Sequence, residues 1–256
     1  MRHSKEQIDY STLVTRNKRR DVLFAGAGLL VMLIAMSMLL ALIVDLAVTG
    51  LPRLSLDFLF SFPSRHPEEA GILSAWVGTT LVMLVTAALA VPLGVAAGLY
   101  LEEYAPKNWI TDVIEINVTN LAGVPSIIYG LLALGLFIYA FGMGETILVA
   151  GMVLALLILS VVIVTTREAI RSIPQEIREA SYALGADQWQ TVRMYILPAA
   201  RPGILTGIIA GLSRAIGETA PVITIGALTF IAFLPRSPFQ PDFPFINFDW
   251  LTAPFT

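Results

Sequence analysis

The chain has 256 residues, 56% of them hydrophobic and only 14% charged, whereas a soluble domain carries about 25% charged residues. That much apolar sequence would leave wide exposed patches in water, so a soluble fold is excluded as the main reading and lipid is the expected solvent for most of the surface. A net charge of −3 and a pI near 5.4 give no polybasic signal for nucleic acid, and a sequence without cysteine excludes disulfides, thiolate metal sites and cysteine nucleophiles.

Residues 1–21 form a basic N-terminal segment with Arg2, Lys5, Arg16, Lys18, Arg19 and Arg20. A helix needs about 20 mostly apolar residues to cross the hydrocarbon core, and residues 22–48 are the first such run. Basic residues precede it, as in a signal peptide. Its apolar stretch exceeds a usual h-region, however, and no small-x-small cleavage site follows, so an uncleaved span is expected. The connection 49–74 holds Pro52, Pro63 and Pro67 with Phe58, Phe60 and Phe62 between them. It reads as an interfacial loop with aromatics at headgroup level, with partner docking as the alternative. Further spans are expected at 75–100, 121–141, 146–166 and 203–225, the last continuing into apolar sequence up to 234. The fold class is therefore all-α, a polytopic membrane helical bundle with five spans.

Sidedness follows from the lysines and arginines in the connections. The N-terminal segment has six, and 167–202 has Arg167, Arg171, Arg178, Arg193 and Arg201. Between them, 49–74 has only Arg53 and Arg65, and 101–120 has only Lys107 against Glu102, Glu103, Asp112 and Glu115. A cytoplasmic N-terminus places 167–202 inside as well, and the tail 235–256 outside.

Several chemistries lack their residues. A P-loop needs a lysine after a glycine-rich turn, and Lys5, Lys18 and Lys107, the only lysines, follow none. His3 and His66 lie far apart with no partner at metal-ligand spacing, so no metal site is expected, and no hydrolase triad signature is present. No catalytic residue or cofactor is expected on this chain, which leaves transport, signalling or scaffolding.

The segment 167–202 is the most patterned part of the sequence. Gln175 to Leu184 suits a short helix, with Pro174 at its first turn and Glu176 and Glu179 toward its start. Gly185 permits a tight turn. Asp187 can cap a second short helix reaching Val192, while Pro198 and Pro202 bracket the next span. Two short helices lying across the inner membrane surface are expected, a suitable dock for a soluble partner.

Glu179-Ala180-Ser181, then Gly185, then Leu197-Pro198 resembles the coupling loop of ABC importer permeases, with Ser181 in place of the usual second alanine and Tyr195 where isoleucine is usual. Two more segments narrow the resemblance. Ala122-Gly123-Val124-Pro125-Ser126-Ile127-Ile128-Tyr129-Gly130 and Ser213-Arg214-Ala215-Ile216-Gly217-Glu218-Thr219-Ala220-Pro221 resemble the phosphate permeases of that family. Two permease types pair in the phosphate-specific transport system, and the ending Glu218-Thr219-Ala220-Pro221 resembles one of them more than its partner. The resemblance implies the type I ABC importer permease fold. It also implies a bacterial-type inner membrane location, a second phosphate permease subunit, two cytoplasmic ABC ATPase subunits and an extracytoplasmic phosphate-binding protein. ATP hydrolysis would reside on the ATPase chains. The family usually carries another helix after the outer tail, so a sixth span beyond Thr256 is expected. The Pro125 segment is read equally as a kinked helix start, with Ser126 or a neighbour satisfying the freed backbone, or as a substrate contact.

Arg214 and Glu218 are the only charges between 203 and 234, and ionisable groups in a span usually face the bundle interior or a water-filled cavity. On a helix turning about 100° per residue, Gly203, Gly207, Gly211, Arg214 and Glu218 share one arc. The glycines would let another helix approach closely. Arg214 and Glu218 are either a structural i, i+4 ion pair or a site for a passing oxyanion. In the second case the arginine fork meets the anion and the glutamate moderates its hold, so that the ion can leave. The expected function is a permease subunit of an ATP-driven phosphate importer, with another oxyanion such as phosphonate or molybdate, or a membrane subunit reporting phosphate status, as alternatives.

Overall fold

The structure, a computed structural model, describes residues 10–66, 68–226, 233–240 and 246–254. Arg2, His3, Lys5, Pro67 and the apolar sequence 227–232 lie outside the described residues. Two compact units divide the chain, 1–59 and 60–256. The first is dominated by α1 (Tyr10–Gly50), 41 residues long and so about 60 Å in length, which contains the whole of the first expected span. A 3-10 turn at Leu51–Arg53 accommodates Pro52. At the junction of the units, the short α2 (Leu56–Phe60) is opened by Ser55, whose Oγ accepts from the Phe58 amide at 3.1 Å.

The second unit is built on α3 (Leu73–Leu99), α4 (Trp109–Leu121), α5 (Ser126–Ala133), α6 (Ile147–Arg171), α7 (Gln175–Ala183), α8 (Gln188–Thr191), α9 (Leu197–Gly217) and α10 (Ala220–Thr224). The only β pairing among the described residues is two isolated bridges. The all-α class is therefore met. Four helices are long and apolar enough to cross a membrane, or five if the bent pair α4–α5 is one span.

The central element is α6, started by Thr146, whose side chain accepts from the Val149 amide at 3.4 Å. It buries residues on every side, from Ile147 through Leu154, Ile158 and Val162 to Ile170, as a helix enclosed by others must. Its neighbours α3 and α9 approach through small residues. A methyl group on Gly94 would lie 2.7 Å from Val162, one on Gly98 would lie 2.8 Å from the Ile163 carbonyl, and Gly151 faces Val85 with no room for one. At the far end of the chain, Trp250 is buried with Leu81, Val85 and Ile147, and the Ile147 amide donates to the Ala253 carbonyl at 3.2 Å. The tail is thereby held at the start of α6, while 167–202 leaves from its other end.

Three boundaries differ from expectation. The helix expected over 121–141 is interrupted at its start: α4 ends at Leu121, and after a 102° bend α5 begins at Ser126 and runs on through a π-helical stretch, Leu134–Ala140. Pro125, with φ −56° and ψ 132°, supplies that corner, because proline and the residue before it resist continuing a helix. Second, the expected short helix from Asp187 is not a separate element. It continues through a π-helical turn, Val192–Ile196, into α9 as one 30-residue helical run from Gln188 to Gly217. The wider turn pairs the Leu197 amide with the Val192 carbonyl, next to Pro198, which has no amide to give. Third, the fifth span does not reach 225. It stops at Gly217, because Pro221 lies four residues on and would have had to donate to the Gly217 carbonyl.

Candidate functional site

At the Arg171 end of α6 the chain turns through Ser172 and Pro174 into α7. Glu179 and Ala180 are exposed on α7, whereas Ser181 is buried. The Ser181 and Thr191 hydroxyls are 2.9 Å apart, and Thr191 Oγ1 also donates to the Asp187 carbonyl at 2.9 Å. The serine that departs from the family's usual alanine thus ties α7 to α8. Gly185 between them has φ +86°, and a methyl group there would meet nothing within 4 Å. Asp187 closes a reciprocal capping box with Gln190, which fixes the chain's re-entry into helix. The surface of this segment carries large exposed apolar side chains, Leu184, Trp189 and Met194 among them, while Leu197 and Pro198 lie in the first turn of α9.

A cluster of ion pairs holds this segment to the end of α3, where a π-helical turn, Tyr100–Tyr104, presents Glu102 and Glu103. Arg171 donates to both Glu102 oxygens at 3.1 and 3.0 Å. Arg167, buried, donates to Glu115 of α4 at 2.6 Å, and its Nε lies 3.5 Å from Glu102 without hydrogen-bond geometry. Arg178 of α7 donates to Glu103 at 2.7 and 3.2 Å. Sequence reasoning missed Glu102, Glu103 and Glu115 as structural partners. The signal was present in composition, since 101–120 is rich in acids and 167–202 in arginines.

The three glycines of α9 prove unequal. Gly203 would place a methyl 2.7 Å from Ala169 Cβ and Gly207 would place one 2.5 Å from Thr165 Cβ, but Gly211 would meet Val162 and Ile158 only at the ordinary distances of 3.4 and 3.7 Å. All three face α6, so this seam lies within the chain. The buried line along α9 is Ile204, Gly207, Gly211 and Ala215. Gly94 and Gly98, four apart on α3, make the equivalent approach to α6, and their spacing could have revealed them.

Arg214 lies in the last turn of α9 and is exposed. Glu218 does not follow it on a helix. Glu218 has φ −91° and ψ 111°, so the shared helical arc ends before it, and no ion pair joins the two among the described residues. Of the two alternatives for these residues, the structural i, i+4 pair is not formed, because Glu218 lies past the end of α9. In exchange, the two family-like segments meet. Gly130 of α5 has no room for a methyl because Thr224 and Pro221 of α10 lie against it. The adjacent Tyr129 donates to the Leu121 carbonyl at 2.9 Å across the α4–α5 bend. Two interrupted helices therefore pack at their breaks, α5 just after its proline corner and α10 just after the end of α9.

Residues 90–254 match the family described as binding-protein-dependent transport system inner membrane component. The probable ABC transporter permease protein YqgI of Bacillus subtilis is 33% identical, covering 89% of this chain and 78% of that protein. The phosphate transport system permease protein PstA of Haemophilus influenzae is 30% identical over 93% of this chain and 84% of its own length. The chain spans about half, 52%, of the Mycobacterium tuberculosis phosphate transport system permease protein PstA 1, to which it is 40% identical over 62% of its own residues. Among solved structures, the inward-facing MetNI methionine ABC transporter superposes with a TM-score of 0.53 over 60% of this chain and 74% of that chain, at 22% identity, which is a likeness of fold. On the family match and the extent of these relatives, the chain belongs to the binding-protein-dependent transport system inner membrane components.

Proposed function

We infer that this chain is a permease subunit of an ATP-driven importer of inorganic phosphate in a bacterial-type inner membrane, with its N-terminus cytoplasmic. The observation that carries the reading is the contact of Gly130, in the Pro125–Gly130 segment, with Pro221, which closes the segment that begins at Ser213 and includes Arg214, in a chain whose relatives include phosphate transport permeases. Arg214 is the group that meets the anion. Its fork suits a tetrahedral oxyanion, and without an ion pair to Glu218 its donors stay available. Glu218, one break away, accepts from a protonated phosphate or draws Arg214 back once the ion has left. Such a site releases its ion because it is exposed and made of few groups.

The surface of Glu179, Ala180, Gly185 and the apolar side chains around them docks on one of two ATPase subunits, with Leu197 and Pro198 carrying the loop into α9. ATP is bound and hydrolysed on those separate chains. The helical run from Gln188 to Gly217 joins the dock to the arginine. Pro198 and Arg214 lie sixteen residues apart on it, about 24 Å along the axis, so tilting of the dock moves the pathway end of the same rod. A second permease completes the pathway, and an external phosphate-binding protein delivers the ion. Purification from native membranes in mild detergent, followed by identification of the bound chains, tests this. An ATPase, a second permease and a phosphate-binding protein are expected, and a stable complex without an ATPase would overturn the reading.

A further inference from the structure

We propose that Glu103 is a positioning residue for energy coupling: it straps both helices that flank the Gly185 turn to the end of α3, so that movement of the ATPase dock is delivered to α3 as well as to α6 and α9. The proposal rests on the reading of α7 as that dock.

Apart from the Ser181–Thr191 hydroxyl contact, little else holds α7. Of its nine residues only Ser181 is buried, and glycine with an open surround follows it at 185. Arg178, in the middle of α7, spends every guanidinium nitrogen inward. Nε and Nη2 donate to Glu103 Oε1, Nη1 donates to the Ile173 carbonyl at 2.9 Å, and Nη2 also reaches the Ile170 carbonyl at 3.2 Å. The Glu103 side chain is 6% exposed, so the pair is charge-assisted, forked and shielded from water, the setting in which such a bond is strong and its loss is felt. On the other flank of the turn, Gln188 Nε2 donates to the Glu103 main-chain carbonyl at 2.6 Å. One residue therefore grips α7 through its side chain and α8 through its backbone. The strap does not end there. Glu102, the preceding residue, holds Arg171 and neighbours Arg167, which reaches Glu115 of α4. Chain connectivity alone would carry dock movement only into α6 and α9. The ion pairs add α3 directly and α4 through Arg167.

A role confined to stability would change how much complex assembles and how readily it melts. A coupling role changes the phosphate moved per ATP hydrolysed in the complex that does assemble. The assay is the full complex in liposomes, with uptake and hydrolysis measured on the same sample. Glu103→Gln keeps shape and removes the charge; Arg178→Met removes the fork. Each is expected to lower phosphate per ATP by about fivefold or more, the lower range of coupling between sites, with the double variant no worse than either single one. The sequence has no cysteine, so Glu103→Cys with Arg178→Cys gives a pair unique within this sequence, with the wild-type complex treated alike as the control for partner thiols. Bridging it with a short bifunctional thiol reagent is expected to restore the ratio, and this arm reads the strap even where the single variants assemble poorly. A wild-type ratio in Glu103→Gln, or a bridged pair that stays uncoupled, overturns the strap alone. Failure of the wild-type complex to move phosphate with ATP overturns the functional reading and the strap with it.

Discussion

Replacing Gly207 with alanine places a methyl carbon 2.5 Å from Thr165 Cβ and 3.2 Å from its Cγ2, with the hydroxyl oxygen closer still. Thr165 has little freedom to turn aside. It is β-branched and stiff at χ1 on a helix, and its hydroxyl is engaged with the Val161 carbonyl at 2.8 Å. To reach ordinary contact, α9 must withdraw from α6 by about 1 Å, a gap that forfeits about a quarter to a half of each neighbouring dispersion contact. Overpacking of this kind costs about 1–3 kcal/mol. At Gly211 the same methyl meets Val162 at 3.4 Å and Ile158 at 3.7 Å and fits. Both variants gain alike from alanine's helix propensity, about 1 kcal/mol, so that term cancels in the comparison. Gly207→Ala is therefore expected to be less stable than Gly211→Ala by about 1–3 kcal/mol. Unfolding in mixed micelles with rising denaturing detergent, followed by tryptophan fluorescence, measures the difference. Equal stability of the two variants would refute the argument from close approach.

Ser181→Ala leaves Thr191 still bonded to the Asp187 carbonyl, so it should cost no more than about 1 kcal/mol, whereas Thr191→Val strands a buried Ser181 hydroxyl and should cost about 1–3 kcal/mol; thermal unfolding ranks them. At Gly185 a methyl meets no atom, so Gly185→Ala should be limited to the backbone cost of a left-handed residue, about 1–2 kcal/mol, with Gly185→Asn milder. Equal stability of the alanine and asparagine variants would count against the φ +86° turn. Gly130→Ala should push α5 away from Pro221 and Thr224 of α10 and lower phosphate uptake per assembled complex, and undiminished uptake would detach that contact from function.

Much of the backbone of 167–202 was legible because its signals are local. Pro174, Gly185 and Asp187 each dictate a backbone conformation through their own chemistry, and the structure places the turn and the cap at those residues. The apolar runs were legible for the same reason. What failed was the inference that an apolar run is one straight helix. Mean hydropathy does not register Pro221, yet its missing amide ends α9 at Gly217 and moves Glu218 off the face assigned to it. Pro198 misled in the opposite direction, since a π-helical turn absorbed it and the helix ran on. The clasp at Glu102 and Glu103 is a long-range pairing between segments about 70 residues apart, which periodicity cannot show. The glycine spacing on α9 did show a close-packed face, but not that α6 of the same chain would fill it.

The central claim is that phosphate passes Arg214. Its direct test is uptake of radiolabelled phosphate into liposomes carrying the complete complex, normalised to assembled complex, for wild type, Arg214→Lys and the double variant Arg214→Met with Glu218→Met. Arg214 is exposed and makes no ion pair with Glu218, so replacing both removes no structural contact between them and assembly should hold. The account predicts that it binds its partners and moves almost no phosphate, while Arg214→Lys, which keeps the charge but loses the planar fork, moves a reduced amount. Robust uptake by the double variant would contradict the claim.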